Sequence, residues 1–201
     1  MGKREPDMTP DKFEENFIIH DHEADCMRRF TPGAVLRRAQ QVSTDHCDTL
    51  GLTAQVYEQT HTAFLLAKLS VQWHRQLPTG DEVHAVTHPS APQRATYYRL
   101  TEFYHARTGA LACTIDTRWV LVDTNTKRIL RKAPDALPIP FTLPPRQETK
   151  LELLKADTAP VGQVTAGFSR CDVNGHLNNT QYADILCDYV PAGQMLSLIH
   201  I

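Results

Sequence analysis

Asp172, Asn174 and His176 stand at alternate positions in the last part of a 201-residue chain. Alternate side chains of an extended segment point to one side, so a carboxylate, an amide and an imidazole would converge there. That set can orient a water, accept a proton and hold a carbonyl oxygen. From Leu177 onward, Leu177, Tyr182, Ile185, Leu186 and Tyr189 suit one face of a helix. Its first turn, expected near residues 176–178, would add unpaired N–H groups and a partial positive charge able to stabilise an oxyanion. The same residues also have a purely local reading. Asn174 and Gly175 form the usual dipeptide of a tight turn, and Asp172 is a good helix cap. Spacing alone leaves both readings open. A calcium loop is excluded, because the position counted sixth from Asp172 is Leu177, where that loop requires glycine.

Other reactive side chains are dispersed. Cys26, Cys47, Cys113, Cys171 and Cys187 are odd in number, widely spaced and contain no CxxC pair, which argues against a disulfide framework or a thiolate zinc site. Cys171 and Cys187 read as core or loop thiols. The 10 histidines include no HExxH motif, and the four-residue spacing of His84 and His88 falls in a strand pattern, so no metal is expected. His46 falls on an apolar helical face and reads as a hydrogen-bonded core residue.

The elements that must position these groups follow from patterning. Thr31, Pro32 and Gly33 open a helix, with Thr31 as N-cap and Pro32 in the first turn. Val35, Ala39, Val42, His46 and Leu50 share its inner face, and Gly51 ends it. Phe17, Ile18 and Ile19 suggest a short strand before it. After it, Leu65, Ala67, Leu69, Val71 and Trp73 alternate with increasingly polar neighbours, as in a strand buried on one face. Pro78, Thr79 and Gly80 make a turn. EVHAVTH, ATYYRLTEFY and LACTIDTRWVLV read as three further strands, with Cys113, Ile115, Thr117, Trp119 and Leu121 on one side of the last. One long helix against several antiparallel strands is an α+β arrangement.

Residues 131–160 differ. Pro134, Pro138, Pro140, Pro144, Pro145 and Pro160 block helix and central strand, leaving an extended linker in which LELLK could form one helical turn. Residues 164–168 then suggest a strand, followed by the polar loop and the last helix. Strand, loop and helix thus recur in weak echo of the first unit.

DVNGHLNN followed by Tyr182 resembles the active-site segment of the acyl-ACP thioesterases of plants and bacteria. GAVLRRAQQVSTDHCDTLGL is similar to the family's first central helix. FLLAKLSVQWHRQLPTGDEV is similar to its second strand and turn, with Phe64 where the family usually has tryptophan and Lys68 where it has arginine. TRWVLVDTNTKRILRKAP resembles its Trp-Val strand and basic turn. The resemblance runs co-linearly over residues 15–190.

This resemblance implies a double hotdog, an α+β fold of two units in which an antiparallel sheet wraps a long helix. Residues 13–132 would be a complete N-terminal hotdog that binds the acyl chain, 133–160 the Pro-rich linker, and 161–201 the start of a truncated catalytic hotdog. The implied activity is hydrolysis of fatty acyl-[acyl carrier protein] in fatty acid biosynthesis, with Asp172, Asn174 and His176 catalytic and no cofactor. A further family position, a glutamate or cysteine, would lie beyond the present end, and Cys187 is too near in sequence to replace it. A hotdog acyl-CoA thioesterase and a non-catalytic acyl-binding hotdog are the alternatives. The carrier protein being acidic, Arg28, Arg29, Arg37, Arg38, Lys127, Arg128, Arg131 and Lys132 are candidate docking cations, although they also fit a plain solvated surface.

Composition is consistent with this. The chain is 41% hydrophobic and 22% charged, enough apolar mass for a core, and the net charge of −2 argues against a nucleic-acid partner. No apolar run reaches the roughly 18 residues of a membrane helix, and the charged N-terminal segment is unlike a secretory signal. A cytoplasmic protein with reduced thiols and no membrane partner is expected. An unpartnered last helix would drive either a homodimer or aggregation.

Overall fold

The computed structural model describes residues 10–146, 159–173 and 175–190. Its centre is helix α1 (Pro32–Thr49), which starts as expected. The Thr31 hydroxyl accepts a hydrogen bond from the Ala34 N–H at 3.3 Å, and Pro32 occupies the first turn. Past the C-cap Leu50, Gly51 takes φ +78°, a conformation that favours glycine, and the chain leaves the helix axis.

Around α1 runs a five-stranded antiparallel sheet: β1 (Phe13–Ile18), β2 (Thr62–Trp73), β3 (Glu82–Gln93), β4 (Thr96–His105) and β5 (Ala110–Asp123), in the spatial order β1-β3-β4-β5-β2. The inner faces of helix and sheet enclose one core in which Phe30, Val35, Val42, Phe103 and Ile115 are essentially inaccessible. Each such side chain contributes about 1.5–3 kcal/mol by leaving water. Phe17 meets Phe103 edge-on at 5.4 Å between centroids. This is the expected α+β layering, with one long helix wrapped by an antiparallel sheet.

Four details differ from the sequence reading. First, the opening strand begins earlier, at Phe13, because Phe13 and Phe17 alternate inward against β3. Second, β3 continues past His88 through Pro89 to Gln93. Proline is tolerated there because β1 pairs with β3 only as far as Thr87, so beyond it that side of β3 needs no ladder donor.

Third, β2 does not keep one period throughout. It pairs Leu66 with Trp119 and Lys68 with Arg118, so Ala67 is an extra residue and forms a β-bulge. Past the bulge Leu69, Val71 and Trp73 pack on the core, as expected. Before it, inward and outward positions exchange. Phe64 packs against the ring of Tyr97 while Leu65 is exposed.

Fourth, residues 164–168 form no strand. The chain from 159 to 167 has no regular structure and leads into a short 3₁₀ turn (Phe168–Arg170). A strand needs a neighbour to satisfy its ladder, and none of the five strands pairs with this segment. The last helix, α3 (Gln181–Tyr189), begins four residues later than Leu177.

A short helix, α2 (Ala54–Gln59), was not apparent from the pattern. Beside it a second apolar cluster joins Leu52, Tyr97 and Leu121 to Leu137 and Phe141. Part of the proline-rich stretch therefore lies extended against the first unit. LELLK falls outside the described residues. All five cysteines are free thiols. Among the described residues no helix is long and apolar enough to cross a membrane.

Candidate active site

Residues 170–178 fold back on themselves. The Asn178 N–H donates to the Arg170 carbonyl at 2.9 Å, the Asp172 N–H to His176 at 2.8 Å and the Gly175 N–H to Asp172 at 3.0 Å. Cys171 and Leu177 form an isolated antiparallel bridge, and Gly175 closes the turn at φ +73°. The structure thus brings Asp172 and His176 together, and Asn174 lies outside the described residues. The contact runs through the backbone. Asp172 Oδ1 accepts from the main-chain N–H of His176 at 3.3 Å. The His176 side is exposed to solvent and Asp172 is half-buried. The local turn reading is therefore realised, and the carboxylate that ties the turn stands beside the imidazole-bearing residue.

The oxyanion-stabilising helix start expected at residues 176–178 is not formed there. Leu177 belongs to the bridge, and α3 starts at Gln181. The N–H groups there are already engaged. Asn178 Oδ1 takes both the Thr180 N–H (2.9 Å) and its hydroxyl (2.8 Å), and the Gln181 and Tyr182 N–H groups bond to Asn178 and Asn179 carbonyls. The tandem asparagines thus build the step between loop and helix.

That step is pinned to the first unit. Thr180 is buried, Ala183 packs on the main core, and Arg37 of α1 donates to Asp184 at 2.6 Å. Asn179 and Thr180 close one end of a narrow cavity between α1 and the sheet, of about 20 Å³. Its other walls are apolar, chiefly Leu36, Leu66, Leu69 and Trp119, with the hydroxyls of Ser43, Thr101 and Thr117 among them. The loop carrying Asp172 and His176 therefore adjoins an apolar seam under the central helix.

Sequence reasoning missed a buried polar network behind this seam. Arg99 of β4 is 6% exposed. Its Nη1 donates to His46 Nδ1 and to Thr87 Oγ1, both at 3.2 Å, and its Nη2 reaches Cys47 Sγ at 3.5 Å. Because His46 Nδ1 accepts from a guanidinium, its proton sits on Nε2. His46 is thus the hydrogen-bonded core residue that its position suggested, stacked on Phe13 at 5.5 Å. Burial pushes the Cys47 thiol and the Tyr57 phenol up, favouring their neutral forms. A lone arginine in an otherwise ordinary strand pattern gives no signal of burial.

Five of the eight candidate docking cations face a carboxylate of the chain. Arg28 faces Asp21, Arg29 faces Asp25, Arg37 faces Asp184, Arg38 faces Glu23 and Lys132 faces Asp135.

The family model described as "Acyl-ACP thioesterase N-terminal domain" matches residues 10–139. The chain belongs to the acyl-ACP thioesterase family. Among its relatives, a chloroplastic palmitoyl-acyl carrier protein thioesterase of Gossypium hirsutum is 24% identical, over 94% of this chain and 52% of the relative. One of the same description from Cuphea hookeriana is 25% identical, over 89% and 47%. This acyl-ACP thioesterase family member thus spans about half the length of the curated relatives it matches. Among solved structures, the 12:0-ACP thioesterase of Umbellularia californica superposes with a TM-score of 0.76 at 22% identity, over 92% of this chain and 72% of that one. An acyl-ACP thioesterase from Bacteroides thetaiotaomicron gives 0.79 at 18% identity, over 92% and 76%. These likenesses establish that the fold is the hotdog fold of the acyl-ACP thioesterases.

Proposed function

We propose that this protein hydrolyses the thioester joining a fatty acyl chain to acyl carrier protein, with Asp172, Asn174 and His176 at the reaction centre. The observation that carries this reading is the continuity between the loop and the seam. The turn holding Asp172 and His176 leads through Asn178 into Asn179 and Thr180, which close the apolar cavity under α1. An acyl chain along that seam would bring its carbonyl to the loop. On this reading residues 13–132 hold the chain, 133–160 link, and the segment from 161 begins the catalytic unit.

The chemistry is redox-neutral. Water attacks the thioester carbon, forming a C–O bond and an oxyanion, and the C–S bond then breaks. His176 takes the proton of water and returns it to the leaving thiolate. Asp172 fixes the turn through the His176 N–H and sets a negative charge beside the imidazolium that forms. Asn174 supplies an amide to hold the water or the carbonyl.

The test is hydrolysis of lauroyl-ACP and lauroyl-CoA by the purified chain. Turnover with a preference for the carrier-protein substrate is expected, with a loss of about 10²–10⁴ in His176→Ala. A loss below about threefold removes His176 from the mechanism. Equal or better turnover of the CoA ester points to the acyl-CoA enzyme instead.

A further inference from the structure

Arg99 is a buried cation with no carboxylate within ion-pair distance among the described residues, which is a costly arrangement for a core. Its hydrogen bonds show where the polarity is directed. Arg99 Nη1 donates to Thr87 Oγ1 at 3.2 Å, and Thr87 Oγ1 lies 2.9 Å from Thr101 Oγ1. A hydroxyl that accepts from a guanidinium is a stronger donor onward, so the favoured order runs from Arg99 to Thr87 to Thr101. That order leaves the Thr101 proton to be given elsewhere. Thr101 is 2% exposed, and it lines the cavity under α1. The neighbouring Thr117 hydroxyl is already spent on the Arg99 carbonyl at 3.1 Å. The relay ends at Thr101, one of the few polar residues lining this mainly apolar seam.

We propose that this relay selects acyl chains bearing an acceptor oxygen, a hydroxyl or keto group on the chain, over the unsubstituted hydrocarbon. The inference rests on the reading of the seam as the acyl site. It adds Thr101 as the residue that meets the oxygen, and Thr87 and Arg99 as positioning residues behind it.

The experiment is calorimetric titration of the whole chain with dodecanoate and with its positional hydroxydodecanoates. One isomer is expected to bind about fivefold to tenfold tighter than dodecanoate, the worth of one hydrogen bond to a polarised donor. Thr101→Val should bring that isomer to within about twofold of dodecanoate, both measured on the same variant. Thr101→Ser should restore the preference. Thr87→Val keeps the Thr101 hydroxyl but cuts the relay, and should reduce the preference without abolishing it, a result that a plain packing role for Thr87 would not give. Equal binding of all isomers and dodecanoate, or a preference that survives Thr101→Val, overturns the relay and leaves the acyl site standing. Binding of none of the probes overturns the acyl site with it.

Discussion

The Asp184 carboxylate of α3 lies directly over Gly33 of α1. A β-carbon at residue 33 would occupy the space of that carboxylate, which also accepts the 2.6 Å bond from Arg37. The close approach of the two helices depends on residue 33 having no side chain, and this approach seats the loop ahead of α3 on the first unit.

A double-mutant cycle tests this. Asp184→Ala alone should cost under about 1 kcal/mol, since the ion pair is half-exposed. Gly33→Ala should destabilise by about 1 kcal/mol, because the carboxylate must swing out or α3 must lift. In the Asp184→Ala background the same change should stabilise by about 0.5–1 kcal/mol, the ordinary gain of alanine over glycine in a helix. Urea unfolding of the four proteins reads the sign, and an unchanged sign would refute the contact.

Asp172 has a structural and a chemical part that substitution can separate. Asparagine keeps an acceptor for the His176 N–H but loses the charge. Asp172→Asn should therefore hold stability within about 0.5 kcal/mol while lowering kcat about 10²-fold. Asp172→Ala should lose both. Full activity in the asparagine variant would confine the carboxylate to the turn.

The bulge at Ala67 predicts an unusual deletion. Without Ala67 the segment before it must flip, sending Phe64 outward from its edge-on contact with Tyr97, at 4.9 Å. Because one residue of slip exchanges the two faces of a strand, the deletion should cost about 2–4 kcal/mol. Ala67→Gly should cost no more than about 1 kcal/mol. Thermal unfolding of the two variants distinguishes register from side-chain loss.

Acid lability follows from two groups. Burial raises the Glu23 carboxyl, but two hydrogen bonds from Arg38 and one from the His20 N–H outweigh it and hold the group below its ordinary 4.5. A depressed carboxyl stabilises the fold above its unfolded value, and that contribution is lost as pH falls below 4.5. Burial, then the Arg146 guanidinium, lowers His88 from 6.5, so the fold disfavours its protonation. Its contribution is present above 6.5 and is lost as pH falls below it. Stability should thus decline in two stages, the first below pH 6.5 and the second below 4.5. Glu23→Gln should cost about 1–3 kcal/mol at pH 7 and flatten the second stage. Urea midpoints between pH 7 and 3.5 measure both, and an unaltered second stage would clear Glu23.

Much of the fold was legible because it rests on local chemistry. Thr31, Pro32 and Gly51 mark the limits of α1 by capping and backbone freedom, and the period-two faces of β4 and β5 need only their own residues. The grouping of Asp172 with His176 was legible from their spacing within one turn. The face exchange in β2 was not, since a bulge is decided by the partner strand. The absence of a strand at 164–168 was likewise a matter of partners, because a ladder half has no stability alone.

The sequence by itself determined the central helix, the strand count of the first unit and the tight turn between Asp172 and His176, because these depend on interactions a few residues apart. Only the tertiary structure decided that Gly33 would receive Asp184, that Asn179 and Thr180 would close a cavity under α1, and that Arg99 would be buried against His46 and Thr87. Those relationships join residues dozens of positions apart. They exist because burial forces polar groups to find partners wherever the packed chain places them.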